Sequence, residues 1–388
     1  MGGLENRGVE WLCVRSAFCV GSMRRLPVLL TSNSSWIPRL SVWIAAAFWM
    51  AHVAAVRAQD GECQWVEGYD LTLEGRGWAE TNSPYDRLPA KAEGVVRGGV
   101  WGLSKDSAGL CIRFVTAAPT LKVRWALGGS LAMPHMPATG VSGVDLYAQT
   151  VGRWRFVGNG RPHTDENEAE FNLDGTADEY CLFLPLYNET RSLQIGVKSP
   201  HSLAPAPERG RSVVFYGTSI TQGGCASRPG MAASNIFGRA LNVPTINLGF
   251  SGNGQSEPEM VELVAEIDAL VFVLDPLWNM SPDLVRERIP HFVHRLRTAH
   301  PTTPILLVED CRIRAEDVPT GMGKVLREVY AELLAEGIGD LHFLSAEGML
   351  GPSDEGTVDG VHPTDLGFMY QARAFEKALR PLLVPAGQ

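Results

Sequence analysis

The sequence has no run of basic residues, no Cys-x-x-Cys pair and no internal repeat or low-complexity tract. Each absence removes a class of function. With no basic stripe and a formal net charge of −9 at pH 7, the chain offers little to the phosphates of a nucleic acid. Its 7 cysteines among 388 residues follow no framework spacing and join no Cys/His cluster, so no metal site is expected. Five of them lie beyond residue 58 (Cys63, Cys111, Cys181, Cys225 and Cys311). That number is odd, so at least one thiol is free. Cys111 and Cys181 sit inside apolar runs and read as core residues. Hydrophobic residues make up 45% and charged residues 20%, the balance of a folded globular chain rather than a disordered one.

One long apolar run stands out, from Leu40 to Ala55. Arg24, Arg25 and Arg39 precede it, and Val56-Arg57-Ala58 follows. This is the order of a secretory signal, with cleavage expected after Ala58 and a secreted or periplasmic product. The run is shorter than the ~20 residues of a membrane span, so no membrane partner is expected after cleavage; an uncleaved anchor is the alternative. The stretch before the run is long for a signal, and Met23 is an alternative start. Residues 1–58 hold six of the Lys/Arg and two of the Asp/Glu residues. Their removal leaves a more acidic chain, which favours solubility.

The rest divides by texture. Residues 59–198 show short β-rich runs between turns. Examples are Gly94-Val95-Val96-Arg97, Leu110 to Val115, Leu121 to Trp125, Gly143 to Tyr147, Arg155-Phe156-Val157 and Ser192 to Val197. Leu121, Val123 and Trp125 alternate with Lys122 and Arg124, the mark of half-buried antiparallel strands. A β-sandwich or jelly roll follows. Trp125, Trp154 and Tyr147 read either as core or as a sugar-binding platform. Residues 199–210, rich in Pro, Ala and Ser, read as a linker. From 211 to 388 strands alternate with helices. Strands are expected at 213–216, 244–250, 269–274, 305–308 and 341–344. Helices are expected at 232–241, 257–267, 282–297, 322–336 and 365–379. This pattern predicts an α/β domain with a parallel sheet covered on both faces.

In such sheets the working residues gather beyond the carboxyl ends of the strands. Ser219 follows the first strand, Ser251-Gly252-Asn253-Gly254 the second, and Asp275-Pro276-Leu277-Trp278-Asn279 the third. Asp359-Gly360-Val361-His362 comes near the end. Serine is a weak nucleophile until a base takes its proton. His362 suits that task, because imidazole titrates near neutral pH. Asp359, three residues earlier, can hold the imidazole tautomer that faces the serine. The backbone N–H groups of Ser219 and Gly252 and the side chain of Asn279 are candidate donors to an oxyanion, with Asn253 as the alternative to Asn279. Ser219 also reads as a helix N-cap. Arg228 could bind a substrate oxygen or tie its loop down.

Position 221 is Thr, so the Gly-x-Ser-x-Gly elbow is absent. Instead, Gly217-Thr218-Ser219-Ile220 with Gly252, Asn279 and Asp359-x-x-His362 resembles the SGNH (GDSL-type) serine hydrolases over roughly 211–383. The resemblance implies a flavodoxin-like three-layer fold and esterase activity. It implies Ser219 as nucleophile, Asp359 and His362 as its triad partners, and Ser219, Gly252 and Asn279 as oxyanion donors. No metal or cofactor is implied. Two departures stand out. Thr218 replaces the motif's Asp, and Pro276-Leu277-Trp278-Asn279-Met280 replaces the usual Gly-x-Asn-Asp. Gly143-Val144-Asp145-Leu146-Tyr147 resembles the signature of the GxDLY-type β-domain found ahead of such hydrolases. Tyr85-Asp86-Arg87-Leu88-Pro89 and Leu184-Pro185-Leu186-Tyr187-Asn188 resemble its other segments.

The function expected is that of an exported serine esterase removing acetyl groups from carbohydrate. A lipase or thioesterase for longer acyl chains is one alternative, against which no long apolar lid is evident. A non-catalytic carbohydrate-binding protein is the other, and it has no need of the Ser219, Asp359 and His362 set.

Overall fold

A computed structural model describes residues 62–312 and 314–383. The expected signal segment lies outside the described residues. Among the described residues no helix is long and apolar enough to cross a membrane.

The first part is built from β1 (Cys63–Glu67), β2 (Thr72–Glu74), β3 (Cys111–Val115), β4 (Thr120–Leu127), β5 (Val144–Thr150), β6 (Arg153–Gly160), β7 (Glu166–Asn172), β8 (Glu179–Phe183), β9 (Thr190–Lys198) and β10 (Ala204–Pro205). Two short helices interrupt it, α1 (Gly98–Leu103) and α2 (Ala138–Val141). One antiparallel sheet runs β1-β9-β4-β7 and the other β10-β3-β8-β5-β6, with β2 on β3. Alternation in β4 sets the layering. Leu121, Val123, Trp125 and Leu127 point into a core shared with Ile112, Phe114, Leu146 and Leu182 of the facing sheet. This is the expected β-sandwich. Trp125 and Tyr147 are buried, so they are core rather than a platform.

One local reading changes, and one strand is added. Gly94-Val95-Val96-Arg97 is a turn, not a strand: Val95 N and Val96 N both donate to Ala92 O at 3.1 Å. Val96 is buried with Leu88, Ala92 and Val100 against Val214, Ile246 and Phe272 of the second part. Tertiary burial outweighs the β propensity of two valines. Conversely, β7 is a strand with almost no apolar content. It pairs along β4, where Glu168 receives Arg124 at 2.7 Å and Lys122 at 3.1 Å. Cross-strand charge pairs of this kind supply what propensity does not.

The second part carries β11 (Val213–Gly217), β12 (Thr245–Gly249), β13 (Val271–Asp275), β14 (Ile305–Val308) and β15 (Leu341–Leu344), all parallel, in the order β12-β11-β13-β14-β15. Its helices are α3 (Ser219–Gln222), α4 (Ala233–Leu241), α5 (Pro258–Val264), α6 (Pro282–Ala299), α7 (Gly321–Ala335) and α8 (Asp365–Leu379). β11 to β14 are buried throughout, as strands covered on both faces must be. On one face Phe272 and Leu274 pack against Val261, Phe292 and Val329 of α5, α6 and α7. On the other, Phe215 and Val273 pack against Phe237, Phe368 and Phe375 of α4 and α8. This is the expected flavodoxin-like α/β sandwich. Strand order reverses at β11, which opens a crevice beyond its carboxyl end.

Residues 199–210 hold to the sandwich rather than hanging free. Ala204 and Pro205 pair with Val115 and Phe114 of β3, and Arg209 Nε donates to Glu74 at 3.0 and 3.2 Å. Ala108, Met136, Val141 and Leu186, from before this segment, pack in the core of the parallel sheet.

Candidate active site

β11 ends at Gly217, and the chain turns at once. A Cβ there would lie 2.1 Å from Thr221 Oγ1 and 2.6 Å from Asp275 O. Only glycine permits so tight a turn between strand and helix. Thr218, not Ser219, caps the following helix: its Oγ1 accepts from Ile220 N at 3.3 Å. The Ser219 hydroxyl is therefore free for another partner. It meets His362 Nε2 at 2.8 Å.

His362 sits in a tight loop just before α8. Val358 N donates to His362 O at 2.8 Å, and Thr364 caps α8 through Gly367 N at 3.2 Å. Its Nδ1 lies 2.8 Å from Asp359 Oδ2. Asp359 Oδ1 accepts from the amides of His362 at 2.8 Å and Val361 at 3.0 Å. Burial opposes ionisation of Asp359. The His362 amide and ring and the Val361 amide outweigh it and hold the carboxyl below its ordinary value. With Asp359 charged, Nδ1 carries the proton and Nε2 presents its lone pair to Ser219. Ser219, His362 and Asp359 are thus brought into one hydrogen-bonded line.

Cys225 is the other nucleophile type nearby. Burial and the charge of Asp359 push its thiol up to about 11. It stays protonated at neutral pH and is a poor competitor.

The oxyanion candidates converge less uniformly. Gly252 has φ +66, and a Cβ added there would meet nothing within 4 Å; its turn is closed by Asn253 N and Gly254 N, both donating to Phe250 O at 2.9 Å. Asn279 Oδ1 accepts from Gly254 N at 3.2 Å, which turns its NH2 the other way. Asn253 is held at both ends of its amide: one N–H of its Nδ2 donates to Ser251 O at 2.6 Å, and its Oδ1 accepts from Arg97 at 2.6 Å. The Asn279 amide is held only at its oxygen among the described residues, which leaves both its N–H groups as donors.

Several further residues brace the site, Arg87, Asp106 and Tyr187 from the sandwich and Gln222 and Arg228 from the second part. Tyr187 Oη donates to Ser219 O at 3.1 Å. Gln222 Oε1 accepts from Ser251 N at 3.0 Å, and its Nε2 donates to Asp106 at 2.9 Å and to Leu186 O at 3.1 Å. Arg87 donates to Gly249 O at 2.7 Å, just ahead of the Gly252 turn. Arg228 ties its loop down: it binds Asp145 at 2.8 Å and Tyr147 Oη at 2.6 Å, and lies 3.9 Å over Phe156. Arg87, Asp145, Tyr147 and Tyr187 all fall in the three sandwich segments singled out above. Those motifs were the available signal.

Asp106 gives a pH test of this network. Burial pushes its carboxyl up to about 6 from an ordinary 3.8, against the opposing pull of Arg87 and Gln222. The folded protein therefore binds a proton that the unfolded chain releases. That share of stability is complete below the ordinary value and is lost as pH rises through about 6. Relative to Asp106→Asn, wild-type stability should fall by about 1–2 kcal/mol between pH 4 and pH 7.5. Urea unfolding at both pH values measures it, and a constant difference would refute it.

Known proteins resemble this chain over nearly all of the described residues. Residues 210–380 match the GDSL-like lipase/acylhydrolase family, and residues 63–203 match the GxDLY N-terminus of SGNH hydrolase-type esterases. A protein described as a GDSL-like lipase from Bacteroides ovatus is 33% identical over 83% of this chain and 98% of its own, with a TM-score of 0.77. The salicylyl-acyltransferase SsfX3 of a tetracycline biosynthetic pathway is 21% identical over 84% and 99%, at 0.69. The acetyl xylan esterase Est2A from the rumen bacterium Butyrivibrio proteoclasticus is 13% identical over 83% and 98%, at 0.53. No curated protein matches the chain significantly.

Proposed function

This chain belongs to the GDSL-like lipase/acylhydrolase family and is an ester-hydrolysing enzyme, and on that premise we propose that it is an exported carbohydrate acetylesterase acting through Ser219. The observation that carries the mechanism is the line Ser219 Oγ, His362, Asp359, with both links at 2.8 Å. Ser219 Oγ attacks the ester carbonyl as its proton passes to His362 Nε2. Asp359 stabilises the imidazolium that forms. The N–H groups of Ser219 and Gly252 and the Asn279 amide receive the oxyanion. Collapse breaks the bond to the alcohol, which leaves with the proton from His362. Water then attacks the acyl-enzyme and gives its proton to His362. The acid departs as Ser219 Oγ takes that proton back.

The small acyl group draws support from the same source as the alcohol, a like-folded protein named for removing acetyl groups. The carbohydrate part draws support from the like-folded Butyrivibrio proteoclasticus protein, an acetyl xylan esterase. Export draws support from the apolar run ahead of Ala58.

Esters of graded chain length test this reading. kcat/KM for p-nitrophenyl acetate should exceed that for the octanoate by about tenfold or more. A preference for octanoate would replace it with the lipase reading. Acetate release from a panel of acetylated glycans tests the alcohol.

A further inference from the structure

We propose that His135 forms the subsite for the alcohol half of the ester and reads hydroxyl groups on it. The inference rests on Ser219, His362 and Asp359 acting as the acyl-transfer site.

His135 belongs to the segment 128–137, which joins β4 to α2. This segment is neither strand nor helix, yet it is fixed at several points. Gly129 N donates to Asn188 Oδ1 at 2.7 Å, and Asn188 Nδ2 donates to Ser130 O at 3.1 Å. Met133 and Met136 exchange both backbone hydrogen bonds at 3.1 Å. Met136 is buried in the core of the second part. Just beyond, Thr139 Oγ1 donates to Ser227 O at 2.6 Å. Pro134 and Pro137 flank the histidine, and each limits φ. The result is a braced overhang reaching from the sandwich to the active site.

His135 stands exposed on this overhang. Its ring centroid lies 5.8 Å from that of His362, inclined at 54°. No hydrogen bond to its ring nitrogens is found among the described residues. An exposed, unbonded side chain adds little to stability, so folding does not account for bracing it there. Position suggests what does. Two of the three oxyanion donors proposed above, Gly252 and Asn279, hang from the loops after β12 and β13. The departing alcohol must instead take its proton from His362 Nε2. A side chain packed beside the His362 ring therefore borders the alcohol. Neutral imidazole carries one donor and one acceptor, and its flat face suits the C–H surface of a sugar ring. The fitting ligand is a neutral polyol carrying a free hydroxyl near the esterified one.

The test compares two acetate esters that differ in this respect. Monoacetin keeps free hydroxyls on the alcohol, and ethyl acetate has none. In full-length His135→Ala, the ratio of kcat/KM for monoacetin over ethyl acetate should fall about tenfold, the worth of one hydrogen bond to a ligand. The fall should appear in KM. His135→Gln, which keeps a donor and an acceptor, should recover part of it. An unchanged ratio would overturn the proposal. So would an equal loss of kcat on both esters, which would assign His135 to support of His362 instead. A methyl xyloside monoacetate separates this from the wider reading. If wild type ignores that sugar ester, the carbohydrate assignment falls, while the monoacetin ratio still decides the role of His135.

Discussion

Ser219→Ala is expected to lower kcat for p-nitrophenyl acetate by about 10⁴-fold or more while leaving the fold intact. The two halves of this expectation have separate grounds. Loss of the hydroxyl removes the nucleophile, and no neighbour replaces it. Cys225 is held protonated with its thiol pushed up to about 11. The structural cost is small because the hydroxyl has one partner, His362. Helix α3 keeps its cap, since Thr218 supplies it. Gly223, Gly224 and Tyr187 bind the Ser219 carbonyl, which alanine retains. Stability should change by no more than about 0.5–1 kcal/mol. Circular dichroism and urea unfolding check the fold, and ester turnover checks the chemistry. Residual activity above about 1% in a folded variant would remove Ser219 as the nucleophile.

That separation between cap and nucleophile shows what could and could not be read in advance. Gly217, Thr218 and Ser219 are consecutive, and the strand before them is apolar, so the placement of a hydroxyl at a strand end was legible. Which hydroxyl caps the helix was not, because it depends on backbone angles at Thr218. Asp359 and His362 were legible because a short loop brings them together whatever the rest of the chain does. The choice between Asn279 and Asn253 was not. It depends on how each amide is held, and Arg97, some 156 positions away along the chain, engages the Asn253 oxygen. The same distance hides Tyr187, Gln222 and Asp106, whose partners lie across the junction of sandwich and parallel sheet. Gly94 to Arg97 failed for a related reason. Two valines favour a strand only beside a neighbouring strand, whereas Val96 finds its partners in the core beneath the parallel sheet.

Arg87→Met should cost about 3–5 kcal/mol of stability, a large fraction of the 5–15 kcal/mol typical of a folded protein. Arg87 is 1% exposed. Its Nε donates to Asp106 O at 2.7 Å. Nη1 donates to Gly249 O at 2.7 Å and Asn247 O at 3.2 Å, and Nη2 to Leu103 O at 2.6 Å. The guanidinium also lies 4.9 Å from the centre of the Phe250 ring. Burial pulls its pKa down to about 10, with Asp106 and Tyr187 opposing, so it remains charged at neutral pH. A planar fork is the shape that reaches four carbonyls at once. Methionine replaces the stem and removes a donor from each of the four carbonyls; Leu103 O keeps the Asp106 amide at 3.2 Å, and the Asp106 carboxylate keeps Gln222 but loses its nearby positive charge. Each buried oxygen so stranded carries a penalty of about 1–3 kcal/mol, partly relieved by relaxation. Lysine keeps the charge but not the fork, so Arg87→Lys should lose stability too, by less. The damage should also reach the chemistry. Gly249 and Asn247 end the strand that feeds Phe250, Ser251 and Gly252, and a shift there moves the Gly252 amide. Ester turnover should therefore fall in Arg87→Met under conditions where urea unfolding shows the variant still folded. A loss below about 1 kcal/mol would mean that the sandwich and the parallel sheet do not depend on this contact.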